Sequence, residues 1–369
     1  MKAPHVLLVI SAHGYGHLSQ VAPVINAMCE QLPEIQLTVQ GNFPKDIIAK
    51  RIKGEFALYS TAADVGFAMH GPSEIDWPTT QSWYQQFHAR WDEQLQAETQ
   101  LLLDLGIDLV IADVPYLPLV AATEAAIPSV AYSSLNWVDT LLENPQVATA
   151  LGQEIEQMRV AYASADYFIQ PEPSIPMAWL ERYGKIKRCP IDPVAATPAR
   201  RSDALKQTLQ LNPKTKLILV GLGGIPGNHT ADQWPELAGI HWLIEGELPA
   251  KRKDLHQIND LNWPYPDLVG SVDLVVTKPG YGTFTEAARC GVPVLNIARD
   301  NWAETPFLIQ WLKKIVAFKS VTLKQVLNGD ISTEVMELLT QGHRPAMKKS
   351  GVQQAVELLL PLLKQTNHL

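Results

Sequence analysis

Residues 275–294, Val-Val-Thr-Lys-Pro-Gly-Tyr-Gly-Thr-Phe-Thr-Glu-Ala-Ala-Arg-Cys-Gly-Val-Pro-Val, most constrain what this chain can fold into. The apolar run Leu274, Val275, Val276 is broken at once by Pro279 and Gly280, so a short buried strand must end there. Gly280 and Gly282 bracket Tyr281, which lets the backbone turn sharply and a ligand come close. A helix is expected next, opening at Thr283 and Thr285 with Glu286 in its first turn. Gly291 stops it before a strand over residues 294–297. Free N–H groups and the positive dipole end at such a helix start suit a phosphate. Glu286 could accept hydrogen bonds from a ribose diol. The same residues also fit a plain strand–helix–strand crossover, in which the glycines only make the turn and Glu286 is a surface charge.

The alternation extends over the whole chain. Residues 6–10 read as a buried parallel strand, followed by the glycine loop Ser11-Ala12-His13-Gly14-Tyr15-Gly16-His17. Leu18, Val21, Val24, Ile25, Met28 and Leu32 then recur at helical spacing. Short strands are expected over 37–39, 57–59, 109–112, 129–132 and 167–169, with a weak helix over 44–53 and a loop over 60–77. A single long helix fits 81–105, and its Trp83, Tyr84, Phe87 and Trp91 are better explained by core packing than by an acceptor site. Further helices are expected over 119–126 and from the loop at 133–139 to about 165. Proline-rich residues 170–201 mark a domain boundary. A second series of strands follows over 217–220, 241–244, 274–276, 294–297 and 316–318. Such alternation predicts two doubly wound parallel sheets, with ligands at the carboxyl ends of the strands. His13, His17, Asp113 and residues 133–137 share that address. The expected division is 1–197, 198–345, and a closing helix within 346–369.

Composition excludes several classes. A net charge of −8 over 369 residues offers no basic stripe for nucleic acid. The cluster Lys185-Ile186-Lys187-Arg188, near Arg200 and Arg201, reads as a solvated linker face. Cys29, Cys189 and Cys290 stand apart, which points to a reducing compartment and away from structural zinc. No apolar run approaches the roughly 20 residues of a membrane span. The expected location is therefore cytoplasmic, with peripheral membrane contact left open. Neither a P-loop, an Asp-x-Asp nor a Gly-x-Ser-x-Gly motif occurs. Ser19 and Pro226 stand where the last glycine of a dinucleotide fingerprint would fall.

Among candidate residues, His13 and His17 are four apart, but no third metal ligand is evident, and no metal or cofactor is expected. His17, at the mouth of the first strand, is the sharper candidate for a base that deprotonates a hydroxyl. Asp113 could fix its tautomer and stabilise the imidazolium, or merely cap a helix.

Residues 280–293, with their glycine pair, Glu286-Ala287 and Gly291-Val292-Pro293, resemble the nucleotide-binding segment of GT-B glycosyltransferases. The wider stretch from Asp273 to Leu308 is similar to the glycosyltransferase-like domain of plant-type arabinokinases and its free-standing bacterial relatives. Gly16-His17 and Ile111-Ala112-Asp113 likewise resemble the base loop and the orienting aspartate of one GT-B branch. The resemblance implies two Rossmann-like domains facing a cleft and a closing helix that crosses back onto the first. It also implies a metal-independent, inverting transfer from a nucleotide diphosphate sugar, UDP-linked, to an unknown hydroxyl acceptor. His17 and Asp113 would be catalytic. Gly223, Gly224, Lys278, Gly280, Tyr281, Gly282, Thr283, Glu286, Arg299, Asp300, Asn301 and Glu304 would bind the donor. His13, Gly14, Gly16 and Asn136 are further cleft candidates. A nucleotide-sugar epimerase, or a non-catalytic nucleotide-sugar-binding module, remains the alternative on this fold.

Overall fold

The computed structural model describes the chain except residues 1–2, 12, 14–15, 72–73, 185, 223–232, 247, 250, 300–301 and 366–369, and the side chains of 364–365. Seven parallel strands form the first sheet: β1 (His5–Ile10), β2 (Gln36–Gln40), β3 (Ala57–Tyr59), β4 (Leu109–Asp113), β5 (Ser129–Tyr132), β6 (Tyr167–Pro171) and β7 (Lys187–Ile191). Their order is β3-β2-β1-β4-β5-β6-β7. The second sheet holds β8 (Lys216–Gly221), β9 (Ile240–Ile244), β10 (Leu255–Gln257), β11 (Leu274–Thr277), β12 (Val294–Ile297) and β13 (Phe318–Val321). It runs β10-β9-β8-β11-β12-β13. Each sheet reverses its winding beside its own first strand, β1 against β4 and β8 against β11, and the crevice at such a switch is where ligands bind. The central strands are apolar on both faces, as helices on both sides require.

Several elements depart from expectation. The helix expected over 81–105 is two, Trp77–Ala89 and Trp91–Leu105. Arg90 leaves helical geometry between them, and the Gln94 side chain donates to the carbonyl of Phe87 at 2.7 Å. Tyr84, Phe87 and Trp91 enter the core, while Trp83 stays exposed. The basic cluster does not lie in a linker: Lys187 and Arg188 begin β7, which pairs in parallel with β6. Pro190 is tolerated there because an edge strand has a side with no ladder to complete. β13 is displaced to Phe318–Val321 from the expected 316–318.

The terminal helix Val352–Gln365 places Ala355, Val356, Leu359, Leu362 and Leu363 in the core that also contains Val6, Leu8 and residues of the first helix, Gly16–Gln31. Gly291 ends the helix Tyr281–Cys290 at φ 69°, and a Cβ there would lie 1.9 Å from the carbonyl oxygen of Arg344. That helix stop therefore also seats the segment leading to the terminal helix. No helix among the described residues is long and apolar enough to cross a membrane.

Candidate active site

Ile10 lies opposite Asp113 in the β1–β4 pairing, so the switch point of the first sheet brings Asp113 beside the loop that enters the first helix. His17 is the second residue of that helix, and its Nδ1 donates to Asp113 Oδ1 at 3.1 Å. This contact fixes the proton on Nδ1 and leaves Nε2 as the basic nitrogen. Asp113 is fully buried, and its Oδ2 has no partner among the described residues. Burial alone would depress the His17 pKa, but Asp113, Glu304 and Asp64 outweigh it, and the net shift is upward. Burial pushes Asp113 up to about 6 against the pull of His17. The two groups compete for one proton and titrate as a pair. The direction that matters chemically is that of His17, whose imidazolium is stabilised by Asp113, Glu304 and Asp64.

Asp64 and Glu304 are held in turn. Asp64 accepts the indole N–H of Trp137 at 2.7 Å and a hydrogen bond from the Ser11 side chain. Glu304 reaches from the second domain and accepts the Ser134 hydroxyl at 2.6 Å. Ser134 is fixed by Gln20, whose amide donates to Ser134 Oγ at 2.8 Å and whose Oε1 accepts the Ser134 N–H at 3.2 Å. Asn136 is committed elsewhere: it caps the helix Trp137–Leu142, accepting the Asp139 N–H at 2.9 Å and donating to the Asp139 carboxylate. Its contribution to the site is to deliver Trp137.

Aromatic rings join the two domains. Trp137 meets His13 and His17 edge-on, both at 5.6 Å between centroids. His13 stacks on Trp302 at 5.2 Å, and the Arg299 guanidinium lies 4.0 Å from the centre of the same indole. His13 Nδ1 accepts the Phe67 N–H at 3.4 Å, which puts the ring proton on Nε2. Burial, with His17, Arg299 and Lys278 nearby, holds the His13 pKa down to about 3, so this imidazole is neutral. Burial also lowers Arg299 to about 10 and, with Arg299 close by, Lys278 to about 8.

The glycine-rich stretch after β11 is organised differently from expectation. The helix Tyr281–Cys290 begins at Tyr281, with Gly280 as its N-cap, so Glu286 falls in the second turn and not the first. A Cβ on Gly282 would lie 2.0 Å from Ser19 Oγ, so this glycine lets the start of the helix abut the first helix of the other domain. The buried Tyr281 donates its hydroxyl to the Glu172 carbonyl at 2.8 Å and accepts the Val194 N–H at 3.0 Å. It ties down the connection between the sheets. Thr283 Oγ1 is 3.3 Å from the Tyr265 hydroxyl. The buried Glu286 already has a partner: Arg51, in the turn after the helix Lys45–Ala49, meets Oε1 at 2.5 Å, while Oε2 has none among the described residues. Burial raises the Glu286 pKa, and Arg51 opposes the rise.

The structure thus gathers His13, His17, Asp113, Arg299 and Glu304 in one cluster with Lys278 close by, and sets Glu286 with Arg51 in a second contact between the domains. Gly16 opens the first helix, with free space where a Cβ would point. Gly14, Gly223, Gly224, Asp300 and Asn301 lie outside the described residues. Gln20, Arg51 and Asp64 went unnoticed in the sequence, whereas Ser134 falls within the loop 133–137 that the strand-end argument includes. Asp64 alone carried a signal, as a single carboxylate between Ala62-Ala63 and Val65.

No family model matches the chain. It is similar to L-arabinokinase of Arabidopsis thaliana, 22% identical over 318 residues, covering 82% of this chain and 29% of that protein. The chain therefore spans less than a third of that relative's length. A UDP-glucosyltransferase from Polygonum tinctorium capable of glucosylating indoxyl superposes with a TM-score of 0.60 at 15% identity, covering 98% of each chain. A Listeria monocytogenes structure described as a UDP-N-acetylglucosamine 2-epimerase superposes with a TM-score of 0.51 at 15% identity, covering 96% of this chain and 95% of that one. The fold is GT-B, with two Rossmann-like domains.

Proposed function

We propose that this GT-B chain is a glycosyltransferase that moves a sugar from a nucleotide diphosphate sugar, UDP-linked, to the hydroxyl of an acceptor. The observation that carries the reading is the buried His17–Asp113 contact at the switch point of the first sheet, facing charged side chains of the second domain. The acceptor hydroxyl would give its proton to His17 Nε2 as its oxygen attacks the anomeric carbon. The bond to the diphosphate would break, and the nucleotide diphosphate would leave. Asp113 holds the imidazole in the tautomer this requires and stabilises the imidazolium that forms. The charge on the departing diphosphate would meet Lys278 and the first N–H groups of the helix Tyr281–Cys290, which have no partners within that helix. No step is assigned to a metal. One displacement at the anomeric centre inverts it.

The experiment is a thermal-shift panel of nucleotides and nucleotide sugars, because a ligand that binds only the folded state raises the melting temperature. A selective shift with UDP and a UDP-sugar is expected. No shift with any nucleotide, on folded protein, would end the reading. The epimerase-like neighbour supports a second reading, in which a bound nucleotide sugar is converted with no acceptor present.

A further inference from the structure

A buried guanidinium without a hydrogen-bond partner is costly, and a native structure keeps one only where something else supplies the partner. Arg299, just after β12, is 8% exposed, and its Nε and Nη2 are both buried without a partner among the described residues. These two atoms lie on one edge of the planar group. Their N–H bonds form a fork that fits two oxygens of a single anion. Trp302 occupies the face of the guanidinium, so the edge is what remains available. Glu304, the nearest acidic influence on Arg299, is committed to Ser134.

A third donor belongs to the same cluster. His13 stacks on the same Trp302, and its Nε2, which carries the ring proton, is also buried without a partner among the described residues. Arg299 and His13 thus offer three donor atoms and no acceptor, and the positive charge of Lys278 acts on both residues. A group that satisfies this set accepts hydrogen bonds only and is negative. Beside these donors lie the rings of Trp302, Trp137 and Phe67, which contact one another edge-on. Aromatic surroundings of this kind suit the face of a sugar ring carrying one charge better than a hydrated diphosphate. Trp137 contacts both His13 and His17, so the anion would sit one ring away from the proposed base.

We propose that Arg299 and His13 together bind a carboxylate on the sugar being transferred, so that the donor is a nucleotide-linked uronic acid. The proposal rests on the transferase reading and adds the class of sugar to it. The test is calorimetric titration of the wild type and Arg299→Gln with UDP, UDP-glucose, UDP-glucuronate and UDP-galacturonate. The wild type is expected to bind one of the uronates about tenfold or more tighter than UDP-glucose, the range of one charge-assisted contact. Arg299→Gln is expected to erase that preference while leaving UDP affinity within about twofold. A wild type with no uronate preference overturns the proposal without any variant. So does a substitution that weakens all four ligands equally, which would place the guanidinium on the diphosphate. Failure of UDP itself to bind the wild type ends the transferase reading and this proposal with it. UDP binding without a uronate preference ends this proposal alone.

Discussion

Arg51 occupies the carboxylate that a ribose would need, and this leads to a sharp prediction. Its Nη1 is 2.5 Å from Glu286 Oε1, and the Glu286 side chain is 1% exposed against 19% for Arg51. Removing one partner of a fully buried pair costs about 3–5 kcal/mol, whereas an exposed pair contributes at most about 1 kcal/mol. With one partner buried and the other partly solvated, Arg51→Met should lower stability by roughly 1–3 kcal/mol. The same substitution should tighten nucleotide binding, because the ribose hydroxyls no longer compete with a guanidinium for Oε1. Glu286→Gln should do the reverse, weakening binding by about 1.5–3 kcal/mol, the value of hydrogen bonds to a charged group. Calorimetry with UDP and chemical denaturation of both variants measure the two effects separately. Weaker binding by Arg51→Met would refute the reasoning and make Arg51 a nucleotide ligand. Unchanged binding by Glu286→Gln would remove Glu286 from the nucleotide site.

Three further outcomes follow from the same geometry. His17→Ala should abolish turnover while leaving UDP affinity within about twofold by calorimetry, since in the proposed reaction the histidine would meet the acceptor and not the nucleotide. The base must be neutral to act and its pKa is raised, so the acid limb of the pH–rate profile should lie above the ordinary histidine value of 6.5; Asp113→Asn should move it down and lower the plateau. His13 titrates near 3 when folded and near 6.5 when unfolded, so the unfolded chain takes up a proton first as pH falls. Its stabilising contribution is therefore present above pH 6.5 and lost progressively below it, by about 2 kcal/mol from pH 7 to 5. His13→Gln should flatten that slope in denaturation curves, and an unchanged slope would show that His13 is not held neutral.

Much of the architecture was legible because it rests on local signals. Apolar runs ended by glycine loops marked β1, β8 and β11, apolar runs alone marked β4 and β12, and helical spacing marked the first helix. His17 and Asp113 could be paired from sequence because both fall at strand ends that a doubly wound sheet brings together. The network around them could not. Ser134 and Glu304 are 170 residues apart, and Arg51 and Glu286 are 235 apart. In the sequence Arg51 stands among Lys50, Ile52 and Lys53 and resembles an ordinary solvated cation. β7 was obscured because prolines on an edge strand look like prolines in a linker. Gly282 was read as room for a ligand, but a glycine required by the neighbouring helix gives the same letter.

The central claim is acceptor-dependent transfer, and the most direct measurement follows both products at once. The protein is incubated with the nucleotide sugar that it binds best, with and without a mixture of hydroxyl acceptors. Free nucleotide diphosphate and new glycoside are then quantified by mass spectrometry. The account predicts that the two appear in equal amounts, only when acceptor is present, and not with His17→Ala. Conversion of the nucleotide sugar to an isomer with no acceptor present would contradict it and favour the epimerase reading.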